Sequence, residues 1–188
     1  MNHAPSERAV AAPPSFTDIK VLRERARLHV EQGAVTAGYA AQRESVIECL
    51  NAALATELVC VLRYKRHYFM ATGIHAAAVA AEFAAHALEE MAHADLLAKR
   101  IVELQGAPNF SPDGLTARSH AEYAEGDSLK SMITEDLIAE RIAIESYREL
   151  INYVGDQDPT TRRLLEHILA AEEEHADELA SLLGGMRD

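Results

Sequence analysis

Two short segments carry donors at a spacing that suits metal chemistry: Glu90-Met91-Ala92-His93 and Glu172-Glu173-Glu174-His175. Residues three apart share one face of a helix, so each segment offers a carboxylate and an imidazole to the same point. A single Glu-x-x-His means little in a chain rich in Glu and with nine His. Here there are two, and the segments beside them each place a carboxylate, Glu57 and Glu140, in the middle of an otherwise apolar stripe. The spacing repeats as well, with 33 residues from Glu57 to Glu90 and 32 from Glu140 to Glu172. Carboxylates buried without partners are too costly to keep, so they require protons, cationic neighbours or a metal. Four Glu and two neutral His balance two divalent cations. Carboxylate oxygen with imidazole nitrogen suits iron or manganese better than a thiolate-preferring metal.

The elements that would position these donors are read from apolar residues at three- and four-residue steps. Four long helices are expected from residue 43 onward. The first runs from Arg43 to Thr72 before Gly73, with Ile47, Leu50, Leu54, Glu57, Val61, Tyr64 and Tyr68 along its buried stripe. The second runs from His75 to Gln105 before Gly106, with Val79, Phe83, His86, Glu90, His93 and Leu97 inward. The third spans Ser128 to Val154, carrying Ile133, Asp136, Glu140, Ile144 and Tyr147. The fourth has Asp158 as N-cap and Pro159 at its first position, then Leu165, Ile168, Glu172, His175 and Leu179 as far as Leu183. Residues 106–127 hold Pro108, Pro112, Gly114 and Gly126 and read as one long connection. Short, long and short links describe two antiparallel hairpins joined by a crossover. Upstream, residues 1–15 read as a disordered, Pro- and Ala-rich leader. A short helix from Thr17 or Asp18 to Gln32 follows, then a linker, so that 16–42 forms an N-terminal extension and 43–184 the bundle.

Composition narrows the function further. The 188 residues suit a single core, and 48% hydrophobic with 5% aromatic residues and no Trp favours helices. A net charge of -12 without a basic stripe argues against nucleic acid and attracts cations. No run of 18 uncharged apolar residues occurs, so no transmembrane span is expected. Cys49 and Cys60 lie roughly 16 Å apart along one helix, too far for a disulfide. They read as buried structural thiols in a reducing cytoplasm.

Over residues 44–183 the sequence resembles the bacterioferritins and the wider Dps-like and ferritin-like proteins. The segments carrying the likeness are Thr56-Glu57-Leu58-Val59 with Tyr64, Glu89-Glu90-Met91-Ala92-His93-Ala94-Asp95, Asp136-Leu137-Ile138-Ala139-Glu140 and Glu172-Glu173-Glu174-His175. The resemblance implies an all-α, ferritin-like four-helix bundle that binds two Fe ions per subunit and oxidises Fe(II) with O2 or H2O2. It implies that Glu90 and Glu172 bridge the irons, with Glu57 and His93 completing one and Glu140 and His175 the other. It places Met91 where bacterioferritins hold haem b between two subunits; an ordinary packing methionine is the alternative. The extra N-terminal segment and the end at Asp188, without the family's short fifth helix, favour a twelve-subunit shell over twenty-four subunits or a dimer. Manganese in place of iron, a peroxidase, catalase or oxygenase on the same bundle, and a haem-carrying electron-transfer bundle remain open.

Expectations for the neighbouring residues are looser. Asp136 either orients a ligand histidine or is a solvated acid, and Tyr64 either bonds a ligand carboxylate or packs in the core. His86 reads as a core histidine, with an entry ligand as the other option. His29, His67, His120 and His167 read as surface residues.

Overall fold

A computed structural model describes residues 16–74 and 76–186. The expected leader at 1–15 and the expected helix start at His75 lie outside the described residues. The chain divides into two units, at Gly38/Tyr39. In the first, α1 (Ile19–Arg25) is capped by Asp18, which accepts from the Lys20 N–H at 2.7 Å. The single helix expected as far as Gln32 is not continuous. His29 takes a left-handed conformation and only a 3-10 turn, Val30–Gln32, follows. No α1 side chain is buried, and a helix this short has no packing to sustain it.

The second unit is built on α2 (Arg43–Met70), α3 (Ala76–Glu103), α5 (Leu129–Val154) and α6 (Pro159–Gly185), with a four-residue α4 (Leu115–Arg118) in the connection between α3 and α5. α2 packs chiefly on α3 and α5 on α6, and the two hairpins meet along α2/α5 and α3/α6. α2 is apolar and long enough to cross a membrane by length and composition. Its inward face instead carries buried Glu57, Arg63, Tyr64 and His67 against the bundle.

The helix ends follow local chemistry, with one earlier end. α3 was expected to run to Gln105 before Gly106; it closes at Glu103, and Gln105 takes the positive φ beyond it, at φ 65°. The Gly106 N–H then reaches back to the Ile101 carbonyl at 2.8 Å, closing a Schellman-type end. Glycine is required at 106 by close approach: a Cβ there would lie 2.8 Å from the Ile47 Cγ2. Asp158 caps α6 as expected, accepting from the Thr161 N–H at 2.9 Å. It also takes both Arg100 Nη2 contacts at 3.0 Å, the Thr161 hydroxyl at 2.6 Å and the Tyr39 hydroxyl at 2.9 Å.

Asp158 is 3% exposed and Arg100 7%, so losing one leaves the other's charge or donors buried. Asp158→Ala is therefore expected to lower unfolding stability by about 3–5 kcal/mol in a denaturant titration. Burial would raise the Asp158 pKa, but hydrogen bonds from Thr161 and Arg100 outweigh it and hold it below 3.8. The group therefore contributes its stability above about pH 4, and loses it as pH falls through the depressed folded value.

The long crossover is fastened to one side of α2. Asn51 accepts from the Asn109 N–H (2.8 Å) and Thr56 from the His120 N–H (3.0 Å). Arg63 donates to the Glu122 carbonyl (2.8 Å), and His67 Nε2 lies 3.0 Å from the Glu125 carbonyl. His67 is therefore not a surface residue: it is fully buried, with Nδ1 2.8 Å from Asp136. Tyr68, expected on the inward stripe, is 40% exposed instead. Arg63 and His67 lie on the face of α2 that the crossover and Asp136 of α5 cover, and Tyr68 lies outside it. His29, His120 and His167 are exposed.

Candidate metal centre

At mid-bundle, Glu57, Glu90, His93, Glu140, Glu172 and His175 are all buried, none more than 6% exposed. One donor atom from each of Glu57, Glu90, His93 and Glu172 falls within a 4.8 Å set, as does one from each of Glu90, Glu140, Glu172 and His175. The oxygens are divided between the two sets. Glu90 turns Oε2 to His93 Nδ1 (3.4 Å) and Oε1 to His175 Nδ1 (3.3 Å). Glu172 turns Oε1 to His93 (3.0 Å) and Oε2 to His175 (3.7 Å). Glu57 belongs to the His93 side alone, 3.5 Å from its Nδ1.

The helical phase explains this convergence. Glu90 and His93, like Glu172 and His175, lie one turn apart and lean toward the same face of α3 and α6. Glu57 on α2 and Glu140 on α5 close the ring.

Hydrogen bonding leaves the interior of the ring unsatisfied. Six carboxylate oxygens, both of Glu90, both of Glu172 and one each of Glu57 and Glu140, are buried without a partner, as are Nδ1 of His93 and of His175. Buried polar atoms are seldom left so, and a cation between them accounts for the whole group. The residues present therefore fit a pair of metal ions.

The remaining oxygens are held from outside by an exchange between hairpins. Tyr64 of α2 donates to Glu140 Oε1, and Tyr147 of α5 donates to Glu57 Oε1. Each tyrosine lies seven residues after the glutamate of its own helix and serves the glutamate of the other. Tyr64 was anticipated. Tyr147 was missed, although its matching seven-residue offset from Glu140 was visible. Tyr147→Phe and Tyr64→Phe are each expected to cost about 1–3 kcal/mol of unfolding free energy, since the carboxylate oxygen stays buried without its donor.

Outer contacts are unequal. His175 Nε2 sits 2.6 Å from Glu89, whereas the position before Glu172, equivalent to Glu89, is Ala171. Asp136 neither orients a ligand histidine nor is solvated. It is fully buried between Arg63 Nε at 3.0 Å and His67 Nδ1 at 2.8 Å, because the chain needs that anion to anchor the crossover. His86 is buried, stacked on His175 with centroids 4.1 Å apart. Cys60 is buried and Cys49 half-buried; burial raises both thiol pKa values. Met91 is outside the ring, 39% exposed on the outer face of α3.

Electrostatics without cations follow from this crowding. Burial, then repulsion from Glu172, Glu140 and Glu57, pushes the Glu90 pKa well above the usual carboxylate range. Burial and Glu172 do the same to Glu140. Burial opposes charge on both histidines, but their carboxylate partners outweigh it. Contacts to Glu172, Glu57 and Glu90 push His93 up to about 12, and contacts led by Glu172 push His175 up to about 9. Burial also disfavours the Glu172 anion, yet the His175 and His93 rings beside it hold its pKa well below the ordinary value.

A crossover-linked pair of helical hairpins around a Glu/His centre defines the ferritin-like class of bundle. The family model described as a ferritin-like domain matches residues 47–188, and the chain belongs to that family. Among its relatives, the bacterioferritin of Rhodobacter capsulatus is 32% identical over 134 residues, 70% of this chain and 78% of its own. That of Brucella melitensis is 33% identical over 141 residues, covering 73% and 82%. A bacterioferritin-related protein from Bacteroides fragilis, described as a dodecameric thioferritin, matches with a TM-score of 0.75 at 34% identity, over 78% of this chain and 89% of its own. Dps from Thermosynechococcus elongatus shares the fold at a TM-score of 0.72 and 22% identity, over 74% and 90%.

Proposed function

We propose that the chain is a ferroxidase that takes up two Fe(II) ions per subunit for storage or detoxification. The observation carrying this reading is the ring of six partnerless carboxylate oxygens and two partnerless imidazole nitrogens. Glu90 and Glu172 divide their oxygens between both histidines, which suits them to bridge two cations. Glu57 with His93 completes one site, and Glu140 with His175 the other.

Fe(II) is the substrate. Two ions give up one electron each, which with two protons reduces O2 to H2O2, or H2O2 to two waters. The chain's own residues fix the two ions side by side, keep bulk water out, and hold the terminal carboxylates in place through Tyr64 and Tyr147. Glu89, half-exposed beside His175 Nε2, orients that ring and can pass a proton outward. Kinship with a dodecameric relative supports a homo-oligomer of twelve.

Anaerobic Fe(II) titration is the direct test. Binding is expected to saturate near two equivalents per chain, and O2 or H2O2 should then produce ferric absorbance. No binding would sink the reading. Met91 supports a further role for that outer face. Its thioether and Leu88, one turn earlier and 66% exposed, present an apolar surface that fits haem b shared with a second copy. A Soret band in the purified protein is the readout.

A further inference from the structure

The first unit of the chain carries an amphipathic element with nothing in its own unit to cover it. In α1, Ile19, Leu22 and the capping residue Ala26 fall on one side of the helix at three- and four-residue steps, and Phe16 stands three residues ahead of them. At about 100° per residue, Arg23 and Arg25 flank that stripe on its two sides and Glu24 lies behind it. Phe16, Ile19 and Leu22 are all exposed, and no α1 side chain is buried. A helix this short is held by the packing of its apolar face, so the stripe calls for a partner.

On the bundle, α5 and α6 leave a groove of about 720 Å³ between them. Ile138 and Ile142 of α5 form one wall, and Ala176 and Ala180 of α6 form the other, where their small side chains leave room. Glu145, Glu173 and Asp177 stand along the groove with Arg141 and Arg148. Arg148 is already shared between Glu145, at 3.0 Å, and Glu173, at 2.7 Å. We propose that α1 of one subunit lies in the α5/α6 groove of a second copy of the chain. Ile19 and Leu22 then meet the apolar walls, and Lys20, Arg23 and Arg25 face the acids.

Charge selects the occupant. Residues 1–38 hold five Lys and Arg against four Asp and Glu, whereas residues 39–188 hold 13 against 26. Bodies so acidic repel one another where they meet, and bases at the contact are what their association needs. The segment Asp18–Arg27 supplies them, with four bases to two acids. In the groove the three acids outnumber the two arginines. A phosphate surface, of lipid or nucleic acid, calls for clustered bases, and Asp18, Glu24 and Glu31 break up this set. An apolar stripe with a base on each flank matches an apolar groove of mixed, net acidic charge instead. This docking is independent of the metal chemistry at the centre.

The test uses equal amounts of ordinary and 15N-labelled full chain, refolded together and treated with a zero-length carbodiimide coupler, which joins an amine to a carboxylate in direct contact. Lys20 is expected to couple to Glu145, Glu173 or Asp177, with links between one ordinary and one labelled chain as frequent as links between like chains. Lys20 links confined to like chains would put α1 on its own bundle and overturn the proposal. Lys20 coupling only to other carboxylates overturns the groove assignment. The variant I19S/L22S is expected to lose these links. It should also raise the concentration at which the assembly dissociates at least about tenfold, read by light scattering over a dilution series, with helix content unchanged. An unchanged dilution profile overturns the docking. So does cosedimentation of the wild type, but not of the variant, with phosphatidylglycerol vesicles, which would assign the stripe to an anionic lipid surface.

Discussion

Glu90→Gln is expected to cut Fe(II) oxidation at least about a hundredfold, or ~2.7 kcal/mol, while making the metal-free protein more stable. The two effects share one cause. Both Glu90 oxygens are buried, face both histidines and have no hydrogen-bond donor. Gln keeps the volume but offers a single oxygen, so it cannot bridge two cations. Without metal, the same carboxylate is crowded by Glu172, Glu140 and Glu57, and its pKa is raised.

A group whose folded pKa is raised carries no penalty below its unfolded value of 4.5, and a growing one as pH rises toward the folded value. Gln does not titrate. The gain of the variant should therefore be absent near pH 4 and open between pH 4.5 and 7. It should amount to about 2–4 °C in Tm for each kcal/mol relieved. Scanning calorimetry of both proteins at pH 4 and pH 7 checks the sign. A variant less stable than wild type at pH 7, in the absence of metal, would show that Glu90 is satisfied in a way the hydrogen bonding does not reveal.

The second large effect is an exchange of protons for metal. At pH 7, His93 (pushed up to about 12) and His175 (about 9) carry an extra proton, and the raised pKa values of Glu90 and Glu140 favour protons on those carboxylates as well. Protons thus occupy the ring where two dications would bring positive charge. Uptake of two divalent cations is therefore expected to release at least about two protons per chain, seen with a pH indicator in weak buffer. Affinity should climb between pH 6 and 9, as His175 gives up its proton more readily. The raised histidine values also mean that their contribution to metal-free stability is full below pH 6.5 and is lost as pH rises through about 9 and then 12. Cations at a hundredfold excess over their dissociation constants would add about 2.7 kcal/mol per site, a Tm increase on the order of 10 °C or more. Release of one proton or none would mean that the ring is not the uptake site.

Sequence alone was enough for the four long helices, their hairpin pairing and the six residues that meet at mid-bundle. The reason is periodicity. In a long helix a residue's face follows from its number, so Glu57, Glu90, Glu140 and Glu172 could be assigned to the inward stripe before any packing was known. The local ends set by Asp158 and Gly155 were legible for the same reason, since caps act within one turn.

Tertiary structure decided what no periodicity encodes, namely which side chain from another element arrives at a given face. Tyr147 reaches Glu57 only because the hairpins pack with α2 against α5. Asp136 looked like a partner for a ligand histidine, and became the anchor for Arg63 and His67 because the crossover lies along α2 and brings the carbonyls of Glu122 and Glu125 there. His67 read as a surface residue until that strap covered it. The irregular chain between α3 and α5 has no repeat from which its path can be read, so burial beneath it is settled by long-range hydrogen bonds alone.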